Sequence, residues 1–359
     1  MDAPVKKPPN RGRGSHSNAS GRFERFARHD IDDGWTHEDP LPEQITTQIF
    51  RDAARTVITR NQSPDVPFDR SVNPYRGCEH GCVYCFARPT HAYLGLSPGV
   101  DFEAKLYQKP EAAMLLAREL RAEDYVPKTL ALGTNTDPYQ PIEKRFRLTR
   151  EILKVLSAFN HPVGIVTKSP LVVRDIDILG PMAARGLAKV AISVTTLDRK
   201  LARLMEPRAA TPGRRLGTLS LLSRAGIPTT VLMAPMIPGL NDHEIEDLLA
   251  AVKNAGAERA GYVLLRMPLE IRELFVEWLE ANYPDRAGKV LSLMRQMRGG
   301  KDYDAAWGQR MKGTGPYAQL IARRFRLAVK RLGLDDPSVD LDCGQFAPPP
   351  AIGDQLGLF

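Results

Sequence analysis

Residues 73–95 read NPYRGCEHGCVYCFARPTHAYLG, and the stretch holds three of the chain's four cysteines, Cys78, Cys82 and Cys85. Gly77 and Gly81 punctuate it, which lets the backbone wrap closely around a bound object. Three thiols so close on one loop cannot pair comfortably with one another. In a chain of 359 residues otherwise almost free of cysteine, they argue against a secreted disulfide framework and for metal binding or catalysis in a reducing compartment. The expected location is the cytoplasm. Three thiolates can serve zinc or an iron–sulfur cluster. A structural zinc site wants four protein ligands, and His80 and the distant Cys343 are the candidates for the fourth, neither at ordinary zinc-finger spacing. A [4Fe–4S] cluster held by three cysteines leaves one iron open to bind something that reacts.

Outward from this loop, short β-branched runs alternate with helical patterns. KTLALGTNTD (128–137), PVGIVTKS (162–169), AKVAISVTT (188–196), PTTVLMAPMIPG (228–239) and RAGYVLLRMP (259–268) are each followed by an amphipathic stretch. This alternation predicts βαβ units and a parallel sheet. A further strand near Arg70, running into the cysteine loop, brings the count to about six, which favours a partial or open barrel over a closed one of eight. Ligands collect where such strands end at their carboxyl edge. The cysteine loop, GTNTD, TKS and SVTT therefore face one mouth.

CEHGCVYC, with an aromatic residue just before its third cysteine, resembles the signature of the radical S-adenosylmethionine (SAM) superfamily. More narrowly, NPYRGCEHGCVYCFAR, GTNTDPYQPIEKRFRLTREIL, VTKS and EPRAATPGRRL resemble the branch related to spore photoproduct lyase, the DNA repair photolyase-like proteins. The resemblance implies an α/β fold, a partial (β/α)6 barrel, with a [4Fe–4S] cluster on Cys78, Cys82 and Cys85. It further implies SAM on the open iron, reductive cleavage to methionine and a 5′-deoxyadenosyl radical, hydrogen abstraction from a substrate, and an electron donor as partner. The implied substrate is nucleic acid, with DNA favoured. Two alternatives stand beside it: radical modification of a protein or small metabolite, and a non-enzymatic zinc-containing module that binds nucleic acid.

Residue by residue, the family pattern places Tyr84 and Phe86 against adenine, where a planar π-face suits stacking, although both also suit packing at the barrel mouth. Lys168, ending an otherwise apolar strand, is placed to meet the SAM carboxylate through a charge-assisted contact; a solvent-exposed lysine is the plainer reading. Thr134 and Asn135, with Thr136 and Asp137, occupy the strand end where relatives bind the methionine ammonium group, and turn formation explains Asn135 and Asp137 as well. Ser193 and Thr195 alternate along a strand, so both can point toward ribose or carboxylate. Glu206 and Arg208 match a downstream EPR element, and an internal ion pair is an equal reading. One departure matters. Spore photoproduct lyase carries a cysteine hydrogen donor in the segment matching GTNTD, and this chain has Thr134 there, a poorer hydrogen-atom donor. Cys343, Tyr75 or Tyr93 would have to take that role.

The remaining organisation follows composition. Residues 1–45, rich in Pro, Gly, Ser and charge, read as a disordered arm; 46–270 hold the barrel; 271–335 form a basic helical extension; 336–359 form a flexible tail. The formal net charge is +8. No acidic residue falls between Asp304 and Asp335, whereas Arg310, Lys312, Arg323, Arg324, Arg326, Lys330 and Arg331 do. Such a run attracts polyanions or is a solvated helix face. The last residues, with Gln355, Leu356, Leu358 and Phe359, resemble the short peptide by which bacterial repair and replication proteins bind the sliding clamp; folding back onto the domain is the alternative. No signal peptide or membrane span is expected.

Overall fold

The computed structural model describes residues 12–24, 26, 45–336 and 340–350. Six parallel strands form the centre: β1 (Arg70–Val72), β2 (Leu130–Leu132), β3 (Val163–Thr167), β4 (Ala188–Ser193), β5 (Thr229–Met236) and β6 (Arg259–Leu264). They pair in chain order, and Ile58–Arg60 adds one antiparallel strand beside β1. The sheet is open, as the count of strand signals predicts. A crossover of a dozen or more residues between neighbours is what parallel pairing requires. Helices α1 (Ala112–Leu120), α2 (Leu148–Ala158), α3 (Ile176–Ala184), α4 (Pro212–Arg224) and α5 (Ile245–Asn254) supply it.

Helix α2 illustrates why these segments settle where they do. Leu148, Ile152, Leu153 and Leu156 are its buried apolar residues, spaced to share one face. Ile152, Leu153 and Leu156 join Leu130, Leu132, Val163, Ile165, Val190, Ile192, Val231 and Met233 from the strands in one apolar core, and Leu148, at the start of the helix, packs with Tyr75, Leu106 and Ile142 in a second. A second, three-stranded sheet was not foreseen: Lys105–Gln108 pairs with Gln48–Arg51 and with Tyr75–Arg76. It sits directly against the start of the cysteine loop, because Tyr75–Arg76 leads into Cys78.

The extension consists of α6 (Ile271–Asn282), α7 (Pro284–Gln296) and α8 (Gly315–Leu332). Ala318, Ile321, Phe325, Ala328 and Val329 are the buried side of α8, and the Phe325 ring lies 4.7 Å from that of Tyr262 on β6. The Ala260 amide donates to the Leu334 carbonyl at 3.1 Å, so the chain beyond α8 covers the edge of the last strand, an exposed template otherwise. Residues 340–350 dock at the amino edge of the sheet: the Ala347 amide donates to the Phe159 carbonyl at 3.0 Å, and Phe346 packs against Tyr125 and His161. Gln355, Leu356, Leu358 and Phe359 lie outside the described residues. Among the described residues, no helix is long and apolar enough to cross a membrane.

Candidate active site

The cysteine loop follows β1 and is fixed from three sides. The Cys78 amide donates to the Phe102 carbonyl at 3.0 Å, and the Val83 amide to the Met205 carbonyl at 3.0 Å. Gln140 accepts from the Glu79 amide at 3.0 Å and donates to the Gly77 carbonyl at 3.1 Å. Gly77 and Gly81 both have positive φ, and a Cβ at Gly81 would stand 2.7 Å from the Glu103 carboxylate. Glycine is therefore required at that close approach.

Cys78 and Cys82 are buried and Cys85 is half-buried. Burial pushes the Cys78 thiol well above its ordinary value and the Cys82 thiol up to about 12. Such thiols ionise when a metal centre replaces the missing hydration. The fourth-ligand candidates are both committed elsewhere. The His80 ring lies 3.3 Å from the Asp137 carboxylate. Cys343 sits at the opposite, amino edge, its thiol donating to the Leu341 carbonyl at 3.8 Å while the neighbouring Asp342 amide donates to Gly186 at 3.0 Å. Among the described residues, no three His, Cys, Asp or Glu side chains converge as a single-ion site requires. A four-ligand zinc site is thus not built here. The three thiols on one loop fit a cubane, which spreads its thiolates over separate irons and leaves the fourth iron without a protein ligand.

Beside the loop lies a buried polar knot to which the loop itself, the ends of β3 and β4, the end of the short helix Arg199–Met205 and α4 each contribute. Glu206 is its hub, with its carboxylate accepting from Thr195 at 2.8 Å and also from Tyr84 and Arg215. Lys168 Nζ stands 3.6 Å from Glu206 and donates to the Tyr84 hydroxyl at 3.3 Å. Burial works to raise the Glu206 carboxyl, but the Arg215 and Lys168 charges hold it down at about 2. The Arg215 guanidinium also caps the Ser193 carbonyl at 3.0 Å, locking the end of β4.

Not every expected residue faces this knot. Lys168, Tyr84 and Thr195 meet there, but Thr195 shares its one hydroxyl proton between Glu206 and the Ala234 carbonyl, and the Ser193 hydroxyl donates to that same carbonyl, each 3.2 Å from it, so the two lace β4 to β5. Thr134 and Asn135 end β2, half-buried, and the Asn135 amide donates to Asn73 at 3.3 Å. Thr136 is spent on the Tyr75 carbonyl at 2.9 Å. Asp137 accepts from Thr167 at 2.7 Å and from the Lys168 amide at 3.0 Å. Burial opposes its ionisation, yet His80 and these donors bring it to about 2. Phe86 turns away from the knot: it is 44% exposed, with the Arg266 guanidinium 5.1 Å from its ring centre.

Two expectations need correction. Glu206 and Arg208 do not pair with each other. Glu206 holds Arg215 and Lys168, whereas Arg208 reaches Glu79 at 3.0 Å, because the chain turns between them after the short helix Arg199–Met205. Tyr75 is fully buried in a separate core, donating to Glu143 at 2.6 Å, and Cys343 is at the far edge, so neither stands at the mouth as a hydrogen donor. Tyr93 is exposed, its ring 5.1 Å from that of Phe23 and tilted 35° against it. Arg215 was missed, although the segment EPRAATPGRRL carries it nine residues after Glu206.

The family model described as "Radical SAM superfamily" matches residues 72–252. An uncharacterised protein of Mycobacterium tuberculosis is 37% identical over 233 residues, covering 64% of this chain and 68% of that protein. One of Methanocaldococcus jannaschii is 26% identical over 243 residues, 66% of this chain and 85% of that protein. Among solved structures, spore photoproduct lyase complexed with dinucleoside spore photoproduct matches with a TM-score of 0.59 at 15% identity, over 84% of this chain and 85% of that one. A mutant of that lyase with bound AdoMet and dinucleoside spore photoproduct matches at 0.57 and 14% identity, over 79% of this chain and 78% of that one. The family match begins at the last residue of β1 and runs into α5, so it takes in the cysteine loop and strands β2 to β5 of the sheet that presents it: the chain belongs to the radical SAM superfamily.

Proposed function

We propose that this enzyme directs radical SAM chemistry at nucleic acid, DNA first among the candidates. The observation that carries the reading is the reach of the likeness to spore photoproduct lyase, 84% of this chain and so well past the barrel, to a protein complexed with a dinucleoside. When bound, the reduced cluster supplies the electron that cleaves SAM to the 5′-deoxyadenosyl radical. The chain's own part is to hold the cofactors: Cys78, Cys82 and Cys85 would ligate three irons, Tyr84 would flank the adenine, and Thr134 and Asn135 would meet the ammonium group. Ser193 and Thr195 would border the ribose, and Lys168 would meet the carboxylate. Thr134 in place of a cysteine donor points to an outcome other than thymine-dimer reversal by the lyase's own route.

Reconstituted anaerobically with iron and sulfide and reduced, the protein should convert SAM to 5′-deoxyadenosine, and addition of the right oligonucleotide should stimulate turnover. Stimulation by proteins or metabolites and not by DNA or RNA would overturn the nucleic-acid reading. Lys168→Ala should weaken SAM binding by one charge-assisted contact, about 1.5–3 kcal/mol or roughly ten- to a hundredfold. An unchanged dissociation constant removes Lys168 from the SAM site.

The basic extension supports the reading in a narrower form than the sequence suggests. Arg310 pairs with Asp65, and Arg324 pairs with Glu246 at 2.6 Å. Arg323, Arg326, Lys330 and Arg331 remain on the exposed side of α8. If they contact phosphates, neutralising all four should reduce the slope of log affinity against log salt by about three to four. A slope that does not move makes α8 a solvated face. The tail is proposed as a sliding-clamp ligand: a peptide of residues 350–359 should bind the clamp of the same bacterium at roughly micromolar strength and lose binding on replacement of Leu358 and Phe359 by alanine. Calorimetry that detects no binding by either peptide or intact protein makes the motif a coincidence.

A further inference from the structure

The stretch that reads from composition as a disordered arm contains a packed segment, and it is packed on the cysteine loop. Arg13 is 6% exposed; its guanidinium donates to the Glu103 carbonyl and the Ile45 carbonyl, both at 2.7 Å. The amides of Gly14 and Ser15 donate to the two oxygens of the Glu103 carboxylate, each at 2.9 Å. That carboxylate is fully buried and paired at 2.5 Å with the equally buried Arg88. Arg88 in turn donates to the carbonyl of Cys82 at 2.9 Å. A continuous chain of charge-assisted bonds thus runs from the arm to the peptide that carries a cluster ligand.

Contact is as close as backbone permits. A Cβ on Gly14 would stand 1.7 Å from the Gly81 carbonyl, between Cys78 and Cys82. Farther along, Asn18 exchanges two hydrogen bonds with Asp101, at 3.1 and 2.9 Å. Arg22 then reaches Glu270 at 2.6 Å, beyond the end of β6. The arm therefore crosses from the cysteine loop to the far side of the open sheet.

We propose that residues 12–22 are a strap belonging to the cluster site, which holds the Cys78–Cys85 loop in its ligating shape and walls it from solvent. The strap supplies the last two hydrogen bonds of the buried Glu103 carboxylate; without them Glu103 is under-satisfied, Arg88 is free to shift, and the Cys82 peptide loses its anchor. It also covers the Gly81 carbonyl directly. The inference rests on the cluster and is independent of the substrate.

The test is iron release to a chelator from the anaerobically reconstituted, full-length protein, followed by colour and by the electron paramagnetic resonance of the reduced cluster. Gly14→Val drives a side chain into the Gly81 carbonyl and should lift the strap, speeding iron release at least tenfold and altering the cluster's resonance. Gly213→Val, where a Cβ meets nothing within 4 Å, should leave both unchanged. Arg13→Ala keeps the backbone path and should speed release severalfold, which decides the matter if the urea midpoint of Gly14→Val reveals a folding defect. Release at the unaltered rate from Arg13→Ala, or from a folded Gly14→Val, overturns the proposal.

Discussion

Replacing Cys78, Cys82 or Cys85 by alanine should in each case abolish the cluster, and Cys343→Ala should leave it whole, with about four irons per chain. The asymmetry follows from position. On the proposed ligation each of the three loop cysteines would be the sole donor to its iron: His80 is held against Asp137, and no three His, Cys, Asp or Glu side chains group as a metal site among the described residues. Cys343 cannot swing in as a replacement, since its neighbours Asp342 and Gln345 are bonded to Gly186 and Arg185 at the opposite edge of the sheet. Iron and sulfide analysis after anaerobic reconstitution checks the result. Full iron in any loop variant would deny that cysteine a ligand's role, and loss of iron in Cys343→Ala would close the open coordination position and remove the basis for SAM binding.

The parallel sheet was legible because its signals are local: β-branched runs that end in polar residues and alternate with helical periodicity. The three cysteines were legible for the same reason, all lying on one loop. What could not be read were side-chain pairings that no spacing announces. Glu206 and Arg215 stand nine residues apart and are brought together by the turn after a short helix. Arg13 looked like part of a solvated arm because glycine, serine and charge ordinarily lack the apolar surface to order a chain. Here order comes from a different source, a buried carboxylate that needs donors, and Gly14 serves because only glycine fits against Gly81. The basic run shows the converse: charge density was legible, but Arg310 and Arg324 are consumed by partners that come from elsewhere in the chain.

Glu206→Ala should be the most damaging substitution in the site that leaves the cysteines alone. It removes the shared counter-charge of Arg215, whose side chain is 2% exposed, and of Lys168, takes the carboxylate acceptor from the Tyr84 hydroxyl, and leaves Thr195 only the Ala234 carbonyl. Breaking a buried pair by deleting one partner costs about 3–5 kcal/mol. Arg208→Ala, two residues on, severs an ion pair whose arginine side chain is 40% exposed and should cost under about 1 kcal/mol. The same carboxylate imposes a pH dependence of known sign. Its folded value of about 2 lies below the ordinary 4.5, so the unfolded chain binds the proton more readily. The stabilisation is complete above about pH 4.5 and is lost as pH falls toward 2; Asp137, held at about 2 against 3.8, adds in the lower part of that window. Urea midpoints measured between about pH 5 and 3 should therefore fall for the unaltered protein and fall less steeply for Glu206→Ala, which has already lost the larger contribution. Equal stability losses for Glu206→Ala and Arg208→Ala, or parallel pH profiles for the Glu206 variant and the unaltered protein, would mean that the buried knot beside the cysteine loop is not held together by charge.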